Sequence, residues 1–358
     1  MALHFHKLTV KDIHKETEEC ISICFGIPPE VEKEFSFKQG QNITVKKTIG
    51  GEEIRRSYSI CSSPFDHELR VAVKKADNGA FSTFANEQLQ VGDMLEVLSP
   101  TGSFFTELKS SNKKEYVFFS AGSGITPILS IIKTVLITEP ESTVTLAYGN
   151  KTLSSIIFKE QLEALKDKYL QRFSICHILS REKTEAEISY GRIDADKCRE
   201  LSALIDYNKA DEFFICGPEK MIFTIKAFLE SFGISKNKIH FELFTTPKRK
   251  YIQIETKTIN TKDKGSNITV RLDGRSFNFI LDYNGNCILD AALAQGADLP
   301  YACKGGVCTT CKAKLTEGDV QMEVNYGLEP EEVAAGFILT CQSHPRSNEV
   351  VVDFDVKS

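Results

Sequence analysis

No stretch of this 358-residue sequence approaches the roughly 18 uninterrupted apolar residues that a membrane-spanning helix needs. The longest candidate, Ile125–Ile137, is broken by Thr126, Pro127, Ser130, Lys133 and Thr134. The opening residues, MALHFHKLTVKD, lack the basic start, apolar core and small-residue cleavage site of a secretory signal. A cytoplasmic protein with no membrane partner is therefore expected. Excess positive charge is missing too: 44 Lys and Arg face 49 Asp and Glu, a net of −5, so no nucleic-acid partner is expected. The seven histidines (His4, His6, His14, His67, His177, His240 and His344) are scattered, and none stands in a nucleophile–base arrangement. Chemistry that depends on a general base is accordingly not the expectation.

The composition, 41% hydrophobic and 26% charged, is that of an ordinary globular chain, long enough for two or three domains of roughly 100–200 residues. Its charge is uneven. Residues 266–358 hold 13 Asp and Glu against 7 Lys and Arg, whereas the segment Thr245–Lys264 carries six Lys and Arg against Glu255 and Asp263. A near-neutral body, a basic connector over 245–265 and an acidic end suggest separate modules.

Eleven cysteines are present. Seven (Cys20, Cys24, Cys61, Cys176, Cys198, Cys216 and Cys287) stand singly, and a buried thiol is their default reading. The other four differ. Residues 301–311 read YACKGGVCTTC, placing Cys303, Cys308 and Cys311 in a C-x4-C-x2-C pattern, with Cys341 following after 29 intervening residues. This is the plant-type [2Fe–2S] spacing, three thiolates from one tight loop and a fourth from elsewhere. Zinc sites favour paired short hooks, and Cys341 has no partner hook. Gly305 and Gly306 let the loop backbone approach inorganic sulfide closely, while Thr309 and Thr310 offer hydroxyl donors. Around the loop, strands are predicted at Asn267–Leu272 and Ser276–Ile280, joined by Asp273-Gly274, and at Lys312–Leu315 and Glu349–Phe354. A short helix is predicted over Cys287–Gln295, capped by Asn286 and stopped by Gly296.

Upstream, Arg56-Ser57-Tyr58-Ser59 forms an R-x-Y-S motif. In a strand, Arg56 and Tyr58 share one face and Ser57 and Ser59 the other. A flavin can use a guanidinium for phosphate, a flat phenol for ring packing and a hydroxyl near N5. The alternating strand Leu69–Lys74 leads to the turn Asp77-Asn78-Gly79, which opens a short helix carrying Phe81 and Ser82, a place where a helix N-terminus can hold phosphate. Short strands and turn signals over residues 5–105 predict an antiparallel barrel.

After Lys114, strands alternate with helices, which predicts a parallel α/β sheet. Strand Tyr116–Phe119 runs into Ala121-Gly122-Ser123-Gly124-Ile125-Thr126-Pro127, with Thr126 expected as N-cap and Pro127 at the first helical position. The glycines Gly122 and Gly124 can leave backbone donors facing a pyrophosphate, although a purely structural turn would use the same residues. Further strands are predicted at Thr143–Tyr148, Phe173–Leu179 and Glu212–Cys216, and helices at Ser154–Tyr169, Leu201–Tyr207 and Glu219–Phe232. Ligands of such sheets sit beyond the strand carboxyl ends, where Gly122, Ser180, Arg181, Cys216, Gly217 and Pro218 fall. Ser180 and Arg181 can grip a 2′-phosphate, which Arg suits in a bidentate way, favouring NADPH over NADH.

The order R-x-Y-S, G-S-G-I-T-P, C-G-P and a plant-type cluster resembles the ferredoxin–NADP reductase superfamily with an appended C-terminal ferredoxin domain, nearest to reductase subunits of phenylacetyl-CoA epoxygenase complexes. The resemblance implies a multidomain chain: an antiparallel Greek-key β-barrel binding FAD rather than FMN (residues 1–110), an α/β parallel-sheet NAD(P)-binding domain (111–244), a linker (245–265) and an α+β β-grasp [2Fe–2S] domain (266–358). It implies that Arg56 and Tyr58 bind the flavin, that Ser57 and Ser59 lie beside it with Ser59 near N5, and that Val71, Val73, Lys74, Gly79, Phe81 and Ser82 hold its phosphates. Thr126 and Cys216 would line the nicotinamide pocket, and Glu242 and Phe244 would sit against the flavin. Cys303, Cys308, Cys311 and Cys341 would hold the cluster. The implied function is electron transfer from NADPH through FAD and [2Fe–2S] to a di-iron oxygenase, docked through the acidic end. Other readings are a reductase for another acceptor, such as a hybrid cluster protein or a Rieske-type oxygenase, or a redox-sensing module without turnover.

Overall fold

The computed structural model describes residues 4–244 and 265–356; the basic stretch Thr245–Lys264, expected as a tether, lies outside the described residues. The chain divides into two compact units, one of His6–Ile54 with Tyr58–Phe244 and one that contains 265–356.

The larger unit opens with strands β1 (Phe5–Thr17), β2 (Cys20–Gly26), β3 (Asn42–Ile49), β4 (Glu52–Ser59) and β5 (Leu69–Lys74), helix α1 (Ala80–Glu87) and strand β6 (Met94–Thr101). The strands order as β4-β3-β6-β1-β2-β5. An antiparallel bridge between Ile60 and Val71 closes the sheet into the expected Greek-key barrel, reinforced where Cys61 N–H donates to the Arg70 carbonyl at 2.9 Å. Alternation fills the interior with Leu8, Val10, Ile23, Val45, Val71 and Val97, and α1 covers it with Phe81 and Ala85.

A five-stranded parallel sheet follows, built from β7 (Glu115–Ala121), α2 (Ile125–Thr138), β8 (Thr143–Asn150), α3 (Lys159–Lys168), β9 (Phe173–Leu179), α4 (Ala195–Leu201), β10 (Glu212–Gly217), α5 (Glu219–Ser231) and β11 (Ile239–Leu243). Its order is β11-β10-β7-β8-β9, every pair parallel. Barrel and sheet meet in a common hydrophobic cluster, with Cys61, Ala72 and Phe104 packed together with Ile128, Ile131 and Val135 of α2. Polar contacts reinforce that seam. Ser130 Oγ donates to the Ser62 carbonyl at 2.6 Å, Ser63 and Thr134 hydroxyls lie 3.0 Å apart, and Lys133 pairs with Asp66. At Gly40, φ is +81°, and a Cβ there would sit 2.0 Å from the Phe104 carbonyl oxygen.

Three local expectations are corrected. The helix expected over Ser154–Tyr169 starts only at Lys159. Thr152 and Ser155 cap each other in a separate 3-10 turn, and Phe158 adopts a left-handed φ of +61° that breaks the chain path while its ring is buried. The helix expected at Leu201–Tyr207 instead ends at Leu201, because Asp194 starts it early by accepting from Lys197 N–H at 3.0 Å. Tyr207 lies beyond it as a core ring against Phe228. Thr126 is not the cap of α2: a 3-10 turn over Gly122–Gly124 feeds the helix, Gly124 takes the capping position, and Thr126 Oγ1 donates back to the Ser123 carbonyl at 3.0 Å.

The smaller unit contains β12 (Ser266–Leu272), β13 (Arg275–Leu281), α6 (Ile288–Ala294), β14 (Lys312–Glu317), β15 (Val320–Met322), α7 (Pro330–Ala334), β16 (Phe337–Leu339), β17 (Ser343–Pro345) and β18 (Glu349–Asp353). The mixed sheet runs β13-β12-β18-β14-β16, with β12 and β18 parallel and β15 pairing β17 beside it. Asp273 and Gly274, both at positive φ, make the hairpin turn as expected. Helix α6 is capped by Cys287, one residue later than expected, and Gly296 at φ +85° ends it. Packing of Ile288, Leu289 and Ala292 on Ile268, Val270, Val350 and Val352 gives the α+β β-grasp arrangement.

Candidate functional site

At the carboxyl end of the parallel sheet, register brings Cys216 of β10 beside Ser120 of β7 and Glu242 of β11. The turn Gly122–Gly124 presses on the same place: a Cβ on Gly124 would stand 2.1 Å from the Cys216 carbonyl oxygen, so only glycine fits. Gly122 has φ +54° and open space where a Cβ would point, and Tyr148 Oη donates to its carbonyl at 3.0 Å. Gly217 also lies tight against Ala121, and Pro218 opens α5.

The barrel contributes Ser59, buried at the end of β4, whose Oγ donates to Glu242 Oε2 at 3.0 Å. Ser59, Cys216 and Glu242 therefore converge on one corner, assembled from three strands. Loss of water around the carboxyl raises the Glu242 pKa to about 7, with the Ser59 hydrogen bond pulling the other way. Burial, assisted by the neighbouring Glu242 charge, pushes the Cys216 thiol well above its ordinary range. Phe244, just past β11, is 39% exposed and leaves an aromatic face available.

The other residues expected at the flavin are placed less uniformly. Arg56 is exposed at the surface of β4, its guanidinium donating to the Arg55 carbonyl at 2.8 Å, and Ser57 is half-buried on the opposite face. Tyr58 packs its ring 5.6 Å from that of Phe81. Phe81, Val71 and Val73 are fully buried in the barrel core, so only their backbone can meet a ligand. Ser82 Oγ accepts from Ala76 N–H and donates to the Gly79 carbonyl, both at 3.1 Å, which gives it a turn-closing job. A Cβ on Gly79 would strike that hydroxyl at 2.4 Å. Lys74 is half-buried near Glu19. Beyond β9, Ser180 N–H and Oγ both donate to the Asn150 carbonyl, at 2.9 and 3.3 Å, while Arg181 is exposed.

In the smaller unit, Cys303, Cys308 and Cys311 line one loop and Cys341 follows β16; Cys308, Cys311 and Cys341 are buried and Cys303 is half-buried. The Sγ atoms of Cys303 and Cys308 are 3.1 Å apart, and Gly305 N–H donates to Cys303 Sγ at 3.3 Å. Hydrogen bonds from Cys308 and Cys341 hold Cys303 far below the usual thiol range, while Cys308 and Cys341 are pushed up as their partners. Thr310 supplies the expected hydroxyl, bonded to Cys308. Gly306, at φ +73°, is also tightly packed, since a Cβ there would lie 2.9 Å from Val324 Cγ2. Sequence reasoning does not single out Gln342, whose side-chain amide reaches the Cys341 sulfur. Its position directly after the fourth cysteine is the available signal.

Residues 7–106 match an oxidoreductase FAD-binding domain, 118–227 an oxidoreductase NAD-binding domain, and 270–346 a 2Fe-2S iron-sulfur cluster binding domain. The chain is 46% identical to a subunit of the 1,2-phenylacetyl-CoA epoxidase of Escherichia coli K12, over 99% of its own length and 98% of that protein's. It is 33% identical to the ferredoxin reductase component of 3-ketosteroid-9-alpha-monooxygenase of Rhodococcus rhodochrous, over 97% and 96%. Among solved structures, phthalate dioxygenase reductase shares the fold with a TM-score of 0.59 at 22% identity, covering 98% of each chain. No helix among the described residues is long and apolar enough to cross a membrane. The chain belongs to the family of oxygenase reductase components that join FAD-binding, NAD-binding and [2Fe–2S] domains in one polypeptide.

Proposed function

We propose that this reductase takes its electrons from NADPH and delivers them to the oxygenase component of a phenylacetyl-CoA epoxidase. The observation that carries the acceptor is the 46% identity, along the whole chain, to one of the polypeptides that make up that enzyme. When bound, FAD accepts a hydride from the nicotinamide and the [2Fe–2S] cluster passes electrons on one at a time.

The residues fit these groups. Four thiols gathered at one loop and one turn are the donor set of a two-iron cluster. The glycine turn is pressed on β10 at Gly124 and open at Gly122, which supports a pyrophosphate on its open side. Ser59 and Glu242 would share a proton beside the flavin: with its pKa near neutrality, Glu242 can take up or release a proton at Oε2 through the Ser59 hydroxyl. Cys216, kept as a neutral thiol by burial, would bound the nicotinamide pocket without adding charge. Exposed Arg181 beyond β9 supports a 2′-phosphate ligand and so NADPH. Domain limits of 1–110, 111–244 and 266–358 suit this division of labour.

The test combines the purified holoprotein with the phenylacetyl-CoA epoxidase oxygenase component and, separately, with a Rieske-type oxygenase, following nucleotide oxidation coupled to product. Coupled turnover with the epoxidase, faster with NADPH than NADH, is expected, and Arg181→Ala should erode that preference by about tenfold. Coupling only to the Rieske-type partner would overturn the acceptor assignment, and a native preference for NADH would overturn the donor.

A further inference from the structure

Gln342 lies directly after the fourth cysteine, 3% exposed, with its side chain turned into the thiol loop. Its Nε2 has three acceptors in reach: the Cys341 carbonyl at 2.9 Å, the Lys304 carbonyl at 3.1 Å and Cys341 Sγ at 3.5 Å. The two carbonyl oxygens can only accept, so the amide must present its NH2 end to them, and that same end faces the Cys341 sulfur. The side chain thus spans the two segments that supply the ligands, Lys304 standing between Cys303 and Cys308, and Gln342 itself coming 38 residues later along the chain, next to Cys341.

The tether meets the loop at its most strained residue. Lys304 has φ +52°, a left-handed conformation unfavourable for a residue with a side chain. Local contacts hold it there: Lys304 Nζ donates to Asp290 Oδ1 at 2.8 Å and stands 4.6 Å above the Tyr301 ring. Neither of these touches a ligand segment on the far side. Gln342 alone of the three reaches from Lys304 to Cys341, and its Cγ is 3.1 Å from where a Cβ on Gly306 would be, so the glycine makes room for it.

We propose that Gln342 is a positioning residue for the [2Fe–2S] cluster: it locks the strained ligand loop onto Cys341 and, through its N–H toward that sulfur, raises the cluster's reduction potential. The inference rests on the four cysteines holding the cluster. Donors aimed at a ligand sulfur favour the more negative, reduced state, which gives the direction of the effect.

The experiment is an anaerobic potentiometric titration of the full-length holoprotein, reading the reduced cluster by electron paramagnetic resonance, alongside the rate of iron loss to a chelator. Gln342→Leu removes the donor, and the near-isosteric Gln342→Glu replaces it with an acceptor. Both should lower the reduced-to-oxidised ratio at fixed potential by about threefold or more, ~28 mV at 59 mV per tenfold for one electron. Both should also lose iron at least about fivefold faster, and adding Lys304→Gly to Gln342→Leu should slow that loss while leaving the potential shifted. Unchanged potentials in both variants would overturn the tuning role. Iron loss in the double variant as fast as in Gln342→Leu would overturn the loop-locking role. A native protein with no [2Fe–2S] spectrum would instead sink the ligand assignment itself.

Discussion

The corner at the end of the parallel sheet and the thiol loop of the smaller unit both bury ionisable groups, but only the loop gathers enough donors on one of them to overcome burial. Around Glu242 and Cys216, burial outweighs a single hydroxyl donor, and both groups keep their protons to higher pH. Around Cys303, thiol donors and the Gly305 N–H outweigh burial and hold that one thiol down, while its donor partners Cys308 and Cys341 are pushed up as Cys216 is. The charge a buried group carries is therefore set less by depth than by how many donors point at it.

The largest expected break in that contrast comes from removing a thiol. Cys311→Ser should abolish the iron–sulfur spectrum and cut electron delivery to a protein acceptor by more than ~100-fold, beyond the range typical of outer-shell changes. Ferricyanide reduction by NADPH, which needs only the larger unit, should persist; losing both together would show that the units are not chemically separable. Gly124→Ala strikes the other region by forcing a Cβ onto the Cys216 carbonyl. A displacement of about 1 Å there should lower kcat/KM for the nucleotide by roughly 10–100-fold, with the cluster spectrum intact. Equal kinetics in the variant would mean that the turn does not face the nucleotide.

The smallest effect sharpens the electrostatic half. The folded-state pKa of Glu242 is raised from 4.5 to about 7. The stability linked to its protonated form is therefore complete below about 4.5 and lost as pH rises through 7. Glu242→Gln should remove that slope, gaining on the order of 1–2 kcal/mol relative to wild type between pH 5 and 8, seen as a shift of a few degrees in the thermal midpoint. Parallel stability curves for the two proteins would place the titration elsewhere.

The two regions also differ in how readily they are read from sequence. The cluster loop is local: three ligands within nine residues and a glycine pair declare their chemistry by spacing. The corner is assembled by register, Ser59 meeting Glu242 across 183 positions, and no periodicity reports such a pairing. Strand β11 goes unpredicted, since IHFEL is too short to alternate convincingly, and the role of Glu242 comes only through resemblance. Helix ends are misplaced where a side chain makes a competing local bond, at Thr126 with the Ser123 carbonyl and at Thr152 with Ser155. Phosphate binding at Phe81, Val71 and Val73 is likewise expected only through resemblance, and their buried side chains leave the backbone as the part that can meet a ligand.

The core that barrel and sheet hold in common has a consequence for how such chains can be recombined. Ile131 and Phe104 belong to different layers yet both crowd the same glycine, so the seam is packed from both sides even though the barrel keeps an interior of its own. Exchanging residues 7–106 alone for those of a distant relative would graft a mismatched lid onto α2 and leave voids or clashes along the seam. The unit that evolution or an engineer can transplant is thus the pair, flavin barrel and nucleotide sheet together.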